Sequence, residues 1–165
     1  MNSFVKLGRF FYRYRSLIAV LFFLLLLILG KPVCNTVLPH IFIICGIVIR
    51  VCAAGYIGEK SRGKEIRTEY RIVNGPYRIL KHPLYIGNFF LVLGTICLFN
   101  PPNWLKLCLI LAFLLEYSII IFAEEEYMKD LPVHNIKFSV TNLKSEFSTI
   151  IVLAAIYFLY FLIIL

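Results

Sequence analysis

Apolar runs separated by short polar breaks make up most of the chain. A helix needs about 20 predominantly apolar residues to cross the hydrocarbon core of a bilayer, and several of the runs approach or reach that length. The pattern therefore predicts an all-α, polytopic membrane bundle with about five transmembrane helices in a single domain over residues 1–165. The predicted spans are 16–30, 39–57, 83–99, 104–123 and 148–165.

The composition agrees with this pattern. Hydrophobic residues make up 61% of the 165 residues and charged residues only 16%, which is far from the balance of a soluble domain. The first apolar run follows a basic stretch and could be a signal peptide. However, it is followed by Lys31-Pro32, typical of a turn between helices, and by no small-residue cleavage pattern. We interpret it as a membrane anchor.

The basic residues predict the orientation. Of the 17 Lys and Arg residues, 14 precede the first span, lie between the second and third, or follow the fourth, so they share one side of the membrane. The positive-inside rule makes that side the cytoplasm and places the N-terminus there. The net charge of +8 is then mainly a topology signal that also attracts anionic lipid, and no nucleic-acid partner is expected.

The two long cytoplasmic connections carry the polar chemistry. In the first, Asn74-Gly75-Pro76 is a turn signal, and Pro83 suits the first turn of a helix, with His82 before it. The free N–H groups and dipole of such a helix start favour a carboxylate or phosphate. The alternative is that the tyrosines and lysines here form only an interfacial belt.

The second connection begins with Glu124-Glu125-Glu126 at the inner end of the fourth span. Carboxylates at a helix C-terminus oppose the macrodipole by roughly 0.3–1 kcal/mol each and repel one another, so a cation should compensate. That cation is either the neighbouring basic connection or a positively charged ligand.

Two charges lie inside predicted spans, Arg50 in the second and Glu116 in the fourth. Each costs about 2.5–3.5 kcal/mol near the middle of a membrane helix, so both should face the bundle interior. We predict an ion pair between Arg50 and Glu116, which either clamps two helices or lines a substrate pocket. The five cysteines lack CxxC spacing, and neither a disulfide framework nor a metal site is expected.

Two ordered motifs resemble a known family. The first is GPYR-x-x-KHP-x-Y-x-G, from Gly75 to Gly87, and the second is EE-x-x-M, from Glu124 to Met128. Together they are similar to the signatures of isoprenylcysteine carboxyl methyltransferases and phospholipid methyltransferases. The segments RVCAAGYIGEKSRGKEIRTEY and LKSEF also resemble the corresponding parts of bacterial members.

The resemblance implies a membrane enzyme that binds S-adenosylmethionine from the cytosol and methylates a lipophilic acceptor from the bilayer. The acceptor would be an isoprenylcysteine-like carboxylate or another lipid, O-methylation would be favoured, and the location would be a bacterial inner or plasma membrane. Glu125 and His82 would be the candidates for taking a proton. The implied cofactor residues are Glu69, Tyr70, Arg71, Ile72, Tyr77, His82, Pro83, Leu84, Tyr85 and Glu124, with Arg62 as a weaker addition.

The chain departs from the family pattern at three places. Lys81 stands where the signature has arginine, and Ile120 stands where an arginine associated with substrate is often found. The segment 128–132 replaces the aromatic stretch that usually follows the glutamates. The cofactor half of the site is therefore better supported than the acceptor half.

Two other functions remain open. One is a small NADPH-dependent enzyme similar to the membrane sterol reductases, since the basic connection would suit a 2'-phosphate. The paired glutamates fit a sulfonium better than a phosphate. The other is a non-enzymatic structural or transport subunit in which Arg50 and Glu116 line a polar path.

Overall fold

The structure, a computed structural model, describes residues 3–33, 36–58 and 63–165. Within these ranges the chain is an all-α polytopic bundle, as predicted. Four helical segments are long and apolar enough to cross a membrane, and the helix from Pro83 to Phe99 is a shorter apolar one. The helices are α1 (Ser3–Leu29), α2 (Leu38–Ile57), α3 (Pro76–Ile79), α4 (Pro83–Phe99), α5 (Asn103–Met128) and α6 (Phe147–Ile164), the last preceded by a 3₁₀ helix, Val140–Glu146.

Helix α1 begins at Ser3, whereas the predicted first span begins only at residue 16. The helix therefore extends beyond the uninterrupted apolar window from which the span was predicted. Val5, Gly8 and Tyr12 recur every three or four residues and are buried, while the basic residues between them point outward. A Cβ on Gly8 would lie 2.4 Å from Cβ of Ala123, so this part of α1 packs closely on α5.

The helices pack in two main pairs, α2 with α4 and α1 with α5. Gly46 of α2 and Gly87 of α4 allow the first pair to approach closely, since a Cβ on Gly46 would come within 2.9 Å of the Gly87 carbonyl oxygen. Small residues at such contacts are typical of membrane helices. The apolar core around Ile43, Phe99 and Leu105 lies at the end of the bundle away from the long connections.

The two long connections are tied together at the other end, which we call the inner end. Strand β1 (Arg71–Ile72) pairs in parallel with β2 (Val133–His134). Next to them, the Asn74 amide nitrogen donates to the Ile136 carbonyl at 2.6 Å, and the Ile136 N–H donates back to the Asn74 side chain at 3.0 Å. These bonds hold the segment before α4 beside the segment after α5.

Candidate functional site

The start of α4 and the end of α5 meet at the inner end. The Tyr85 hydroxyl donates to Oε1 of Glu124 at 2.5 Å. The ring of His82, the residue before α4, lies between two carboxylates, with Nε2 2.9 Å from Glu125 and Nδ1 3.5 Å from Glu124. Pro83 occupies the first turn of α4, as predicted, where its missing N–H would have no helical partner. Residues about 40 positions apart in the sequence therefore form one cluster.

Histidine and arginine side chains compensate the carboxylates at this helix end. Burial lowers the pKa of His82, but hydrogen bonds and charge from Glu124 and Glu125 outweigh it and raise that pKa above its ordinary value. Nη2 of Arg71 lies 3.9 Å from Glu125. The third carboxylate, Glu126, faces Lys129 at 3.1 Å on the exposed side of the helix. Protein cations thus reach all three acids, but the two that face inward also border a large cavity.

The cavity has a volume of about 1060 Å³ and runs from the inner end into the bundle. Its inner part is bordered by the His82 cluster, and its deeper part by apolar side chains of α1, α4 and α6. Among the residues predicted to bind cofactor or move a proton, those that line it are Tyr70, Arg71, Ile72, Tyr77, His82, Pro83, Leu84, Tyr85, Glu124 and Glu125.

Glu69 does not line the cavity and is exposed. The hydroxyl of Thr68 donates to the carbonyl of Tyr70 at 2.8 Å and closes a bend, which leaves Glu69 on its outer side. The role of Glu69 in cofactor binding stays a prediction, whereas its neighbours in the same motif do border the cavity. Arg62 and Cys34 lie outside the described residues, and the other four cysteines are free thiols.

The predicted ion pair between Arg50 and Glu116 is wrong. Arg50 instead donates from Nε and Nη2 to the two oxygens of Glu146, each at 2.8 Å, and from Nη1 to the Asn88 side chain. Helix α2 packs against α4 and the 3₁₀ helix that carries Glu146, whereas α5 packs mainly against α1. The arginine therefore meets a carboxylate that lies outside the predicted spans, in a two-oxygen geometry that suits its planar fork.

Glu116 is buried, with 7% of its surface exposed, and it lines the cavity. Its Oε1 atom is buried and has no hydrogen-bond partner among the described residues. The Arg15 charge on α1 acts on it through space. Ile120, one turn further along α5, is fully buried and apolar.

Comparison with known proteins identifies the family. A family model described as phospholipid methyltransferase matches residues 34–131, more than half of the chain. The chain belongs to the phospholipid methyltransferase family. This family also includes isoprenylcysteine carboxyl methyltransferases, and its members generally use S-adenosylmethionine. No curated protein and no solved structure shows significant similarity to the chain.

The family assignment makes the protein a membrane methyltransferase and explains the convergence of the two motifs. Both motifs fall within the matched residues, and the structure places them on the two walls of the inner part of the cavity. Parts of the cavity wall lie outside the match, including Tyr12 and Arg15 of α1 and Thr149 of α6.

The sequence analysis missed a line of polar side chains that continues from the cluster into the bundle. The rings of Tyr85 and Tyr117 meet edge to face at 4.9 Å, and the Tyr117 hydroxyl accepts from the Asn88 amide at 3.0 Å. Asn88 accepts from Arg50, which leads to Glu146. In the sequence, these side chains could have been found as polar or tyrosine residues inside an apolar span. Away from the span ends, the sequence prediction singled out only the formally charged Arg50 and Glu116.

The residues at the inner end fit the groups of S-adenosylmethionine. Glu124 and Glu125 offer negative charge, and the Tyr85 ring, stacked on His82 at 5.7 Å, adds an aromatic face for a cation. Burial, then the nearby Glu124 carboxylate, raises the pKa of Tyr77 well above its ordinary value, so this phenol stays neutral. Basic side chains on the same wall, Arg71, Arg78 and Lys81, could meet a carboxylate.

Proposed function

We propose that this protein is an S-adenosylmethionine-dependent methyltransferase that acts on a lipophilic acceptor at the cytoplasmic face of the membrane. One observation carries the proposal. Tyr85 is hydrogen-bonded to Glu124, and His82 to Glu125, at the mouth of a cavity that continues between membrane helices. A water-soluble donor and a bilayer-dissolved acceptor can meet only where an aqueous mouth opens into an apolar space.

The inner part of the cavity would hold the donor. S-adenosylmethionine supplies a methyl group on a positively charged sulfur atom. Side chains of Glu124 and His82 are mostly buried, with 15% and 13% of their surfaces exposed, so their electrostatic effects are little screened by water. Glu124 and Glu125 would hold the cationic groups of the donor, and the Tyr85 ring would offer an aromatic face to the sulfonium.

The deeper part of the cavity would hold the acceptor. Its wall includes Phe22 and Phe23 of α1, Leu91 of α4, and Val152 and Ile156 of α6. Such a surface suits a hydrocarbon chain that enters sideways from the bilayer. The acceptor's reactive atom then lies next to the donor end, where water is partly excluded.

Methyl transfer in such a site depends mainly on placement. Holding two reactants in an attack geometry can supply about 7–11 kcal/mol of the barrier, so a strong catalytic base is not required. His82 and Glu125 remain our candidates for taking a proton, because they share a hydrogen bond and border the cavity. The cytoplasmic placement rests on the basic residues around the inner end.

Isothermal titration of the purified protein tests the donor site. We expect S-adenosylmethionine and S-adenosylhomocysteine to bind and NADPH not to bind. Replacing Glu124 with glutamine should weaken S-adenosylmethionine binding at least tenfold, because a mostly buried charge facing the sulfonium is lost. Glu126→Gln is the matched control. It makes the same change on an exposed carboxylate of the same helix and should leave affinity within twofold.

Other outcomes favour the alternatives. Binding of NADPH but not of S-adenosylmethionine would support the reductase-like enzyme. Failure of all three ligands to bind would support a structural or transport subunit. Equal S-adenosylmethionine affinity in the wild type and in a Tyr85→Ala, Glu124→Gln double variant would refute the site assignment.

A further inference from the structure

Glu116 is a carboxylic acid held inside the bundle without a hydrogen bond to Oε1 from any described residue. It lies in α5 with 7% of its surface exposed, and it faces the cavity. Burying a carboxyl group without a partner costs free energy whether or not it is ionised. A ligand in the cavity that donates a hydrogen bond would remove that cost.

Two basic side chains that line the same cavity, Arg50 and Arg15, have other partners. Arg50 gives both of its paired donors to Glu146. The Arg15 guanidinium donates to the backbone carbonyls of Tyr12 and Gly63 and lies over the Tyr12 ring at 4.0 Å. Its charge reaches Glu116 only through space. No basic side chain among the described residues therefore bonds to Oε1 of Glu116, a residue that borders the cavity.

Glu116 lies apart from the cluster that contains Tyr85 and Glu124. It precedes Glu124 by eight residues on one continuous helix, which corresponds to about 12 Å along the axis. The next residue, Tyr117, stacks on Phe113 at 4.1 Å and meets Tyr85 edge to face, so an aromatic wall connects the two levels. Glu116 thus lies on the bilayer side of the Tyr85–Glu124 contact, where the acceptor's polar group would enter.

We propose that Glu116 determines acceptor specificity by accepting a hydrogen bond from the acceptor's polar head group. The proposal rests on the methyltransferase function proposed above. The selected acceptors carry an N–H or O–H donor, as amines and hydroxyl compounds do, and an ammonium group gains most because it also brings a positive charge. Against an ionised Glu116 a bare carboxylate is disfavoured, since it offers no hydrogen-bond donor and carries a charge of the same sign. This argues against the prenylcysteine-like carboxylate and the O-methylation of a carboxyl group that the sequence resemblance suggested.

Titration with three short amphiphiles tests this specificity. Octylamine, octanol and octanoate each contain eight carbon atoms and differ mainly in the head group. Each is titrated at pH 7.5 into protein in neutral detergent, with S-adenosylhomocysteine present and empty micelles as the reference. We expect the wild type to bind octylamine at least tenfold more tightly than octanoate. In Glu116→Gln, octylamine affinity should fall at least tenfold and the preference over octanoate should disappear.

S-adenosylhomocysteine affinity is measured in parallel and should stay within twofold in Glu116→Gln, which shows that the variant is folded. Glu126→Gln is the control for loss of a carboxylate on α5 and should keep the octylamine preference. Methyl transfer from radiolabelled S-adenosylmethionine then identifies which of the amine and the alcohol is methylated.

The proposal is overturned if the wild type binds octanoate as well as octylamine, if it binds no octylamine, or if Glu116→Gln binds octylamine like the wild type. These results differ from a failure of the proposed function itself. In that case the wild type would not bind S-adenosylhomocysteine, and the octylamine preference would be read from a titration without it.

Discussion

Replacing Arg50 with methionine removes one partner of a buried ion pair while keeping most of the side-chain volume. The Arg50 and Glu146 side chains are 8% and 3% exposed, and two hydrogen bonds of 2.8 Å join them. Removing one member of such a pair typically costs 3–5 kcal/mol, because the other charge stays buried. Thr149 still donates to Glu146 at 2.9 Å, so we expect a loss near the lower limit, about 3 kcal/mol.

Equilibrium unfolding in mixed dodecyl maltoside and dodecyl sulfate micelles, followed by circular dichroism, measures this loss. Arg50→Lys should be intermediate, since it keeps the charge but loses the two-pronged geometry. A double-mutant cycle of Arg50→Met with Glu146→Gln should give a coupling of about 2 kcal/mol.

The control cycle pairs Arg50→Met with Glu116→Gln. The free-energy changes should add to within about 0.5 kcal/mol, because the structure shows no direct bond between the two side chains. Coupling of Arg50 to Glu116 and not to Glu146 would contradict the observed pairing. Destabilisation by Arg50→Met of less than about 1 kcal/mol would also contradict it, since a buried pair cannot be broken so cheaply.

Three further substitutions have defined outcomes. Gly75→Ala should lower stability by at least about 1–3 kcal/mol in the same unfolding assay. Gly75 has φ +60°, and a Cβ there would lie 2.3 Å from the Tyr56 ring. An unchanged unfolding midpoint would contradict this prediction. Gly87→Ala should cost about 1–3 kcal/mol, since its Cβ would lie 2.5 Å from Cγ of Arg50, and this loss should shrink in an Arg50→Ala background. The third substitution is His82→Gln. The two neighbouring carboxylates raise the pKa of His82 in the folded protein. The histidine therefore stabilises the fold fully below about pH 6.5, and this stabilisation is lost as the pH rises through the raised pKa. The difference in melting temperature between wild type and variant should therefore be larger at pH 6 than at pH 9, and a difference that grows with pH would refute the assignment.

Apolar length and turn chemistry were enough to predict most of the fold. Within the part of the chain that the structure describes, the runs of apolar residues identify the five long helices, because only a helix satisfies its own backbone in a bilayer. Pro83 was correctly expected at the start of α4, because its missing N–H would have no helical partner there. The start of α1 was not found, because Val5, Gly8 and Tyr12 are buried only through the packing of α1 on α5, which no local window contains.

The sequence predicted that the two motifs lie close together. It did not predict the partner of a buried charge where more than one oppositely charged residue was possible. Burial cost alone correctly placed Arg50 and Glu116 inside the bundle. It could not choose between Glu116 and Glu146 as the partner of Arg50, because that choice depends on which helices are neighbours. Asn88 was missed for a related reason, since an uncharged amide in a span costs less and gives a weaker signal.

Part of the cavity wall lies within the residues that the family model matches and part lies outside them. This division has a chemical explanation. The proposed donor end is formed by residues within 34–131, and a donor of fixed chemistry needs a fixed set of carboxylates and aromatic faces. Much of the deeper wall comes from α1 and α6, outside that range, where any apolar surface of suitable shape can receive a hydrocarbon chain. Acceptor choice must then depend on the few polar atoms that reach this apolar space. Glu116 borders this space, and its Oε1 atom has no hydrogen-bond partner among the described residues, so we expect the energy of this carboxyl group to change with the acceptor's head group.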